Sequence, residues 1–208
     1  MSFITLIISL VVLLFSAILH EIAHGYVAER LGDPTAKLSG RLTLNPLKHI
    51  DPFMSIILPL LLLISHSPVI FGGAKPVPVD PFNLREGRKD LAIVSLAGPL
   101  TNFLLAIVAA LSLHLINGDT NSLVGSLLQI IIQLNLLLGI FNLLPIPPLD
   151  GSKLFALLLP ERDAQAYLSM SSIGFFIIFF LLAFPIGGFS LSDILFQLIL
   201  YAEHLLGV

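Results

Sequence analysis

Residues 20–24 read His20-Glu21-Ile22-Ala23-His24 and follow residues 1–19, which carry no charged side chain. Residues four apart lie on one face of a helix, so both imidazoles can offer a ring nitrogen to one metal ion. Glu21 lies on the flank of that face, where it reaches a metal-bound water rather than the metal. A charged group at the centre of a membrane helix costs about 2.5–3.5 kcal/mol. We therefore expect these polar side chains to have a function.

The composition is that of a membrane protein. Of the 208 residues, 56% are hydrophobic and 11% are charged, whereas soluble domains carry about 25% charged residues. Several uncharged runs exceed the about 20 residues that a helix needs to cross a bilayer; the later ones are 52–74, 91–118, 120–149 and 164–192. The net charge of −3 says nothing about nucleic acid, but no basic cluster suggests such a partner, so none is expected. Because there is no cysteine, any metal must be held by His, Asp or Glu.

The pattern predicts an all-α polytopic membrane protein with about five transmembrane helices, a re-entrant half-helix and a short β-strand element. The chain is expected to form one domain, 1–208, with its core in 1–155 and peripheral helices in 165–208. The last apolar segment is short and amphipathic, so it either spans or lies at the interface. The predicted helices are 3–30, 91–116, 124–145, 168–184 and 191–206.

Topology follows from the basic residues, which lie only in 30–48, 75–89 and 153–162. Placing them in the cytoplasm puts the N-terminus outside the cell membrane and the 20–24 motif toward the cytoplasmic side. Segment 52–74 must then enter and return on the same side, as a half-helix followed by the strand 71–79.

That strand suggests how a substrate is held, because an unwound transmembrane segment can pair with an exposed strand edge. Gly72 and Gly73 would allow its close approach, and replacing Gly73 with a β-branched residue should slow turnover of the substrate without removing metal. The alternative is a loop packed against the first helix.

Asp150 is the candidate third ligand, since a catalytic zinc needs three protein ligands and an open position. It ends an apolar span in backbone broken by three prolines. Its alternative role is an N-cap of a short helix starting near Ser152. Zinc would lower the pKa of a bound water from about 15.7 toward about 7, and Glu21 would pass the proton to a leaving amine. The expected reaction is peptide hydrolysis.

Two motifs in this order resemble the site-2 protease family of intramembrane zinc metalloproteases. His20–His24 fits the HExxH motif, and Asn142-x-x-Pro145-x-x-x-Leu149-Asp150-Gly151 fits NxxPxxxLDG. The likeness is to the compact subgroup without accessory domains, so gating by a PDZ or CBS-like module is not expected. The resemblance implies one Zn²⁺ per chain, held by His20, His24 and Asp150, with Glu21 as general base. It also implies a membrane-embedded protein or peptide as substrate, taken from the lipid bilayer.

Three other polar residues are weaker candidates for a function. Two of them, Asn142 and His49, each have two interpretations. Asn142 either hydrogen-bonds the substrate or the developing oxyanion, or satisfies carbonyls freed by Pro145. His49 either reaches the zinc or the substrate, or is a solvated loop histidine. Asn102 is expected to bond across helices.

Two other functions compete with an intramembrane zinc endopeptidase. The histidines could be the binding site of a metal or solute transporter, but the motif has no repeat later in the chain, as the halves of transporters often show. They could also belong to a catalytically silent membrane scaffold, against which the intact Glu21 and Asp150 argue.

Overall fold

The computed structural model describes residues 3–50, 57, 75–185, 188 and 190–208. Within these ranges every regular element is a helix. Short 3-10 turns at Pro46–Lys48 and Pro81–Asn83 lie in the segments that join the first two long helices. The α-helices are α1 (Phe3–Arg30), α2 (Thr35–Leu38), α3 (Arg88–Leu115), α4 (Leu123–Asn142), α5 (Asp150–Ala156), α6 (Glu161–Ser169), α7 (Ser171–Ala183) and α8 (Leu191–Leu206).

Three helices, α1, α3 and α4, are long and apolar enough to cross a membrane. A fourth span results if the bent pair α6 and α7 is counted as one. The chain is thus a mostly helical, multi-pass membrane protein. The prediction of about five spans is not confirmed. Helix α8, with 16 residues, is not among the candidate spans.

The core is the packing of α1, α3 and α4 against one another. Small side chains let α3 and α4 approach closely, as is usual where lipid removes the hydrophobic drive for helix association. Ala106, Ala109 and Ala110 of α3 lie against Ile132 and Leu136 of α4. The short helix α5 packs on α3, and α8 packs on α4. This arrangement surrounds the middle of α1 with polar groups from its neighbours.

The predicted span 168–184 is broken. Helices α6 and α7 meet at Met170 with a bend of 63°. The polar helix α6 is tied to the start of α3 by an ion pair of 3.0 Å between Glu161 and Arg88, while the exposed residues of α7 are apolar from Ile173 onward. The polar helix α6 favours water and the apolar helix α7 favours lipid. The hydropathy of the sequence did not reveal the boundary between them.

The proposed re-entrant half-helix in 52–74 lies outside the described residues, and so do Gly72 and Gly73. The described end of the predicted strand, 75–79, has no β-pairing. Pro76 and Pro78 have no amide to donate. The Lys75 amide donates to the carbonyl of His49 at 2.7 Å, and the Val77 amide donates to a side chain of α1. The amides of this stretch are thus used elsewhere.

Asp33 fastens the end of α1 to the segment that leads into α3. Its buried carboxylate accepts hydrogen bonds from the Asp80 amide at 2.7 Å, the Thr35 amide at 3.0 Å and the Asn83 side chain at 3.1 Å. Burial by itself would raise the pKa of Asp33, but the bonds from Thr35, Asp80 and Asn83 outweigh it and hold the pKa below its ordinary value of 3.8.

Asp33→Asn is expected to lower the free energy of unfolding by about 1–3 kcal/mol at neutral pH, because a buried set of donors loses its charged acceptor. The folded-state pKa is lowered, so this contribution is complete above the ordinary pKa of 3.8 and is lost as the pH falls through the folded-state value. Thermal unfolding in detergent at several pH values measures the difference between wild type and variant, which should shrink in acid.

The control is Asp119→Asn. Asp119 accepts one bond of 3.1 Å from the Asn121 amide in an exposed loop, so a small loss of stability is expected there. An equal loss for both variants would contradict the role given to Asp33.

Candidate metal centre

Three side chains converge between α1 and the start of α5. Nε2 of His20 and Nε2 of His24 are 2.9 Å apart, and Oδ2 of Asp150 lies 3.1 Å from the first and 3.2 Å from the second. Ligands at about 2.0–2.1 Å from a tetrahedral zinc ion stand about 3.3 Å apart. Among the described residues, these three form the group of His, Asp and Glu side chains able to hold a metal ion.

The protonation of the imidazoles supports a cation at this point. Nδ1 of His24 lies 2.7 Å from the carbonyl oxygen of Val94, which can only accept, so Nδ1 carries the proton and Nε2 has a free lone pair. Nδ1 of His20 likewise donates to Oδ1 of Asn102 at 2.6 Å. With both rings neutral, two lone pairs and a carboxylate oxygen face one another at about 3 Å, where they repel. A divalent cation between them turns this repulsion into ligation, so the donor set fits a metal.

Gly98 of α3 provides the space for this site. A Cβ at this position would lie 2.5 Å from Nε2 of both His20 and His24. The two Nε2 atoms that would bind metal therefore lie against the backbone of α3 at a position that has no side chain. The neighbouring Pro99 cannot donate to the helix ladder, which interrupts the hydrogen bonding of α3 in the same turn.

The position of Asp150 is set by the short helix α5. Leu149 occupies the N-cap position and Asp150 is the first helical residue, so the alternative interpretation of Asp150 as an N-cap is wrong. Its Oδ2 faces the imidazoles and its Oδ1 lies 3.4 Å from the ammonium of Lys153. Gly151 lets this turn press on the end of α4, since a Cβ there would lie 2.0 Å from the Leu143 carbonyl oxygen.

Arg88 holds the other end of α5. Its guanidinium donates to the carbonyls of Ala156 and Leu159, each at 3.1 Å. These carbonyls lie at and just beyond the C-terminus of α5, where a cation is favourable. The start of α3 thereby anchors the helix that carries Asp150.

Glu21 is next to the candidate ligand His20 in the chain but is held by a different element. Its Oε2 accepts a hydrogen bond of 2.7 Å from the amide of Val77. Segment 75–79, which leads out of the undescribed stretch, is thus fastened to the carboxylate next to the candidate ligands. One oxygen of Glu21 has a fixed position as a result.

Two other predicted residues lie elsewhere. His49 is fully buried rather than solvated, and its Nε2 lies 2.8 Å from the Thr43 carbonyl; it is not in the group of converging ligands. The amide of Asn142 donates to the Leu138 carbonyl at 3.0 Å, one turn back on α4. Asn142 therefore satisfies a helix carbonyl here, although not the one freed by Pro145.

Sequence reasoning missed several supporting groups: the Val94 carbonyl, Gly98, Arg88 and Asn135. A glycine followed by proline inside an apolar span was a readable signal of close helix approach at Gly98. The role of a backbone carbonyl such as Val94 leaves no trace in residue type.

Apolar spans around converging imidazole and carboxylate groups define a polytopic membrane protein with a candidate metal centre. The family model described as "Peptidase family M50" matches residues 8–122 and 117–185. The chain belongs to peptidase family M50, the site-2 protease family that its two motifs resemble.

Curated relatives agree with this assignment. The chain is 39% identical to "Putative zinc metalloprotease YwhC" of Bacillus subtilis over 89% of its length and 84% of the relative's. It is 33% identical to "Putative zinc metalloprotease Rip2" of Mycolicibacterium smegmatis over 83% of the chain and 65% of the relative. It is 29% identical to "Zinc metalloprotease MJ0392" of Methanocaldococcus jannaschii, over 79% of the chain and 38% of the relative. No solved structure matches the chain.

Proposed function

We propose that this protein is an intramembrane zinc endopeptidase in which one Zn²⁺ is held by His20, His24 and Asp150, with Glu21 as general base. The observation that carries the proposal is the convergence of three acceptor atoms within 3.2 Å. Membership of peptidase family M50 and the names of the relatives support zinc and proteolysis.

Zinc, when bound, supplies an acidified water and a polarised substrate carbonyl. Glu21 takes the proton from the water at its carboxylate and delivers it to the leaving amine. The Val77 amide holds Oε2 of Glu21 during this transfer. The bonds from His20 to Asn102 and from His24 to Val94 keep both Nε2 lone pairs available.

The substrate class we propose is a transmembrane segment of another protein, or a peptide left in the membrane. His20 and His24 lie well inside α1, which carries no charged residue before them. The distribution of basic residues supports a site toward the cytoplasmic side of the cell membrane, with the N-terminus outside. Gly72 and Gly73 remain proposed contacts of the unwound substrate backbone.

Metal removal tests this function. Purified protein in lipid nanodiscs is mixed with a panel of single-span peptides that carry a fluorophore at each end, and cleavage is followed with and without a zinc chelator. Chelation is expected to reduce cleavage to the uncatalysed level, because no nucleophilic water forms without the metal. One equivalent of Zn²⁺, but not of Mg²⁺, should restore the rate, since two imidazoles are poor ligands for magnesium.

Mass spectrometry of the products shows where the bond is cut. Cleavage inside the apolar segment is the expected result. Cleavage that is insensitive to chelator, or zinc-loaded protein that leaves every peptide of the panel intact, would count against the proposal.

A further inference from the structure

A chain of buried hydrogen bonds runs from His20 across all three core helices. Nδ1 of His20 lies 2.6 Å from Oδ1 of Asn102 on α3, and Nδ2 of Asn102 lies 2.9 Å from Oδ1 of Asn135 on α4. Nδ2 of Asn135 then donates to the hydroxyl of Ser16 on α1 and to the carbonyl of Ile131 on its own helix, each at 2.9 Å. The chain of bonds therefore starts and ends on α1.

Both asparagines are fully buried. A polar side chain inside an apolar span is costly and usually marks a functional site. Hydrogen bonds between helices in membranes contribute little free energy on average. Helix association alone is thus a weak reason to bury two hydrogen-bonded asparagine side chains.

The order of atoms is set from the far end. An asparagine amide can present either its oxygen or its nitrogen, but the Ile131 carbonyl can only accept. The NH₂ of Asn135 must therefore face Ile131, which turns the oxygen of Asn135 toward Asn102. Asn102 must therefore donate from its NH₂ group to Asn135, and its oxygen faces His20.

The last link reaches the metal ligand. Because the Asn102 oxygen can only accept, Nδ1 of His20 must carry the proton, and Nε2 keeps its lone pair toward His24 and Asp150. If Asn102 were turned over, its NH₂ would require an unprotonated Nδ1. The proton would then sit on Nε2, where it prevents ligation.

We propose that Asn135 is a positioning residue that, acting through Asn102, sets the tautomer of His20 and so keeps this imidazole ready to bind metal. The inference rests on the proposed zinc site and adds to it a residue that touches neither metal nor substrate. With Asn135 in place, the backbone of α4 determines which nitrogen of a histidine on α1 is free.

The test compares Asn135→Leu with wild type in zinc affinity, measured by competition with a fluorescent chelator. Without Asn135 the Asn102 amide turns freely, only part of the protein is competent to bind, and the apparent Kd rises by the inverse of that part. We expect the zinc Kd to rise about tenfold, in the range found for groups that support metal ligands. The ligand-field spectrum of the Co²⁺-loaded protein should show partial occupancy at the same cobalt concentration.

The matched control is Gln129→Leu on the same helix. Gln129 makes an equivalent bond between helices, of 2.9 Å to Glu203 on α8, but does not lead to the metal. This variant should lose thermal stability and keep the wild-type zinc Kd. Asn135→Asp should also keep it, because a buried carboxyl group that is protonated on the oxygen facing Ile131 still presents an acceptor to Asn102; this rescue separates positioning from packing.

The outcomes are distinct from those that test the function. A wild-type protein that binds no zinc overturns the proposed function itself. If wild type binds zinc and Asn135→Leu binds it equally well, or if Gln129→Leu weakens binding as much, the positioning role of Asn135 is overturned while the zinc site stands.

Discussion

Glu21→Gln is expected to lower the rate of peptide cleavage by about 10²–10⁴-fold, the usual contribution of a general base, while zinc content stays at the wild-type level. Glutamine has the same size and keeps an oxygen that can accept from the Val77 amide, but it cannot take a proton. Glu21 is not among the converging ligand atoms, so metal binding should not change. The measurement is the cleavage rate of a labelled single-span peptide alongside metal analysis of the same sample.

The control is Glu29→Gln, two turns further along α1. Glu29 forms an exposed ion pair of 2.6 Å with Lys37 and should be dispensable, because such pairs contribute about 0–1 kcal/mol. A transporter that uses the histidines to bind metal would lose little with Glu21→Gln. Undiminished cleavage by this variant would remove Glu21 from the mechanism.

Gly98→Ala is expected to abolish zinc binding and, with it, cleavage. The new methyl group would lie 2.5 Å from Nε2 of His20 and of His24, within the space that a metal on these atoms occupies. The rings cannot easily turn away, because each is held by its Nδ1 bond to α3. Alanine favours a helix over glycine by about 1 kcal/mol, so α3 itself should not be weakened. Zinc content after purification and circular dichroism separate the two effects.

Gly139→Ala is the matched control for that variant. A Cβ at Gly139 would lie 2.9 Å from the ring of Phe103, at the contact of α4 with α3 and not at the metal ligands. It should retain zinc even where it loses stability through overpacking. Normal zinc affinity in Gly98→Ala would show that the close approach of α3 is not needed.

The long helices were predictable because their pattern is one-dimensional. Predicted boundaries of 3–30 and 91–116 compare with Phe3–Arg30 and Arg88–Leu115, since charge and Gly-Pro stops mark helix ends. The convergence of His20, His24 and Asp150 was expected from two motifs: the first places two imidazoles on one helix face, and the second supplies the carboxylate. The break at Met170 was not, because a bend between polar and apolar halves depends on what each half packs against.

The supporting groups were less predictable because they depend on how helices are rotated against one another. Asn102 was expected to bond across helices, and it does, but its partner His20 is 82 residues away. Neither periodicity nor residue type pairs Asn102 with Asn135, whose sequence separation is 33. The hydrogen bond from Val77 to Glu21 involves a backbone amide, which every residue except proline possesses.

The separation of the ligands along the chain has a consequence for biosynthesis. Asp150 follows His20 by 130 residues. A nascent polypeptide that has inserted α1, α3 and α4 therefore still lacks the third ligand of the proposed site. Two imidazoles alone leave too many coordination positions to solvent for a stable catalytic zinc. On the proposed function, the unfinished chain therefore cannot hydrolyse peptide bonds, and we expect activity only after translation has passed α5.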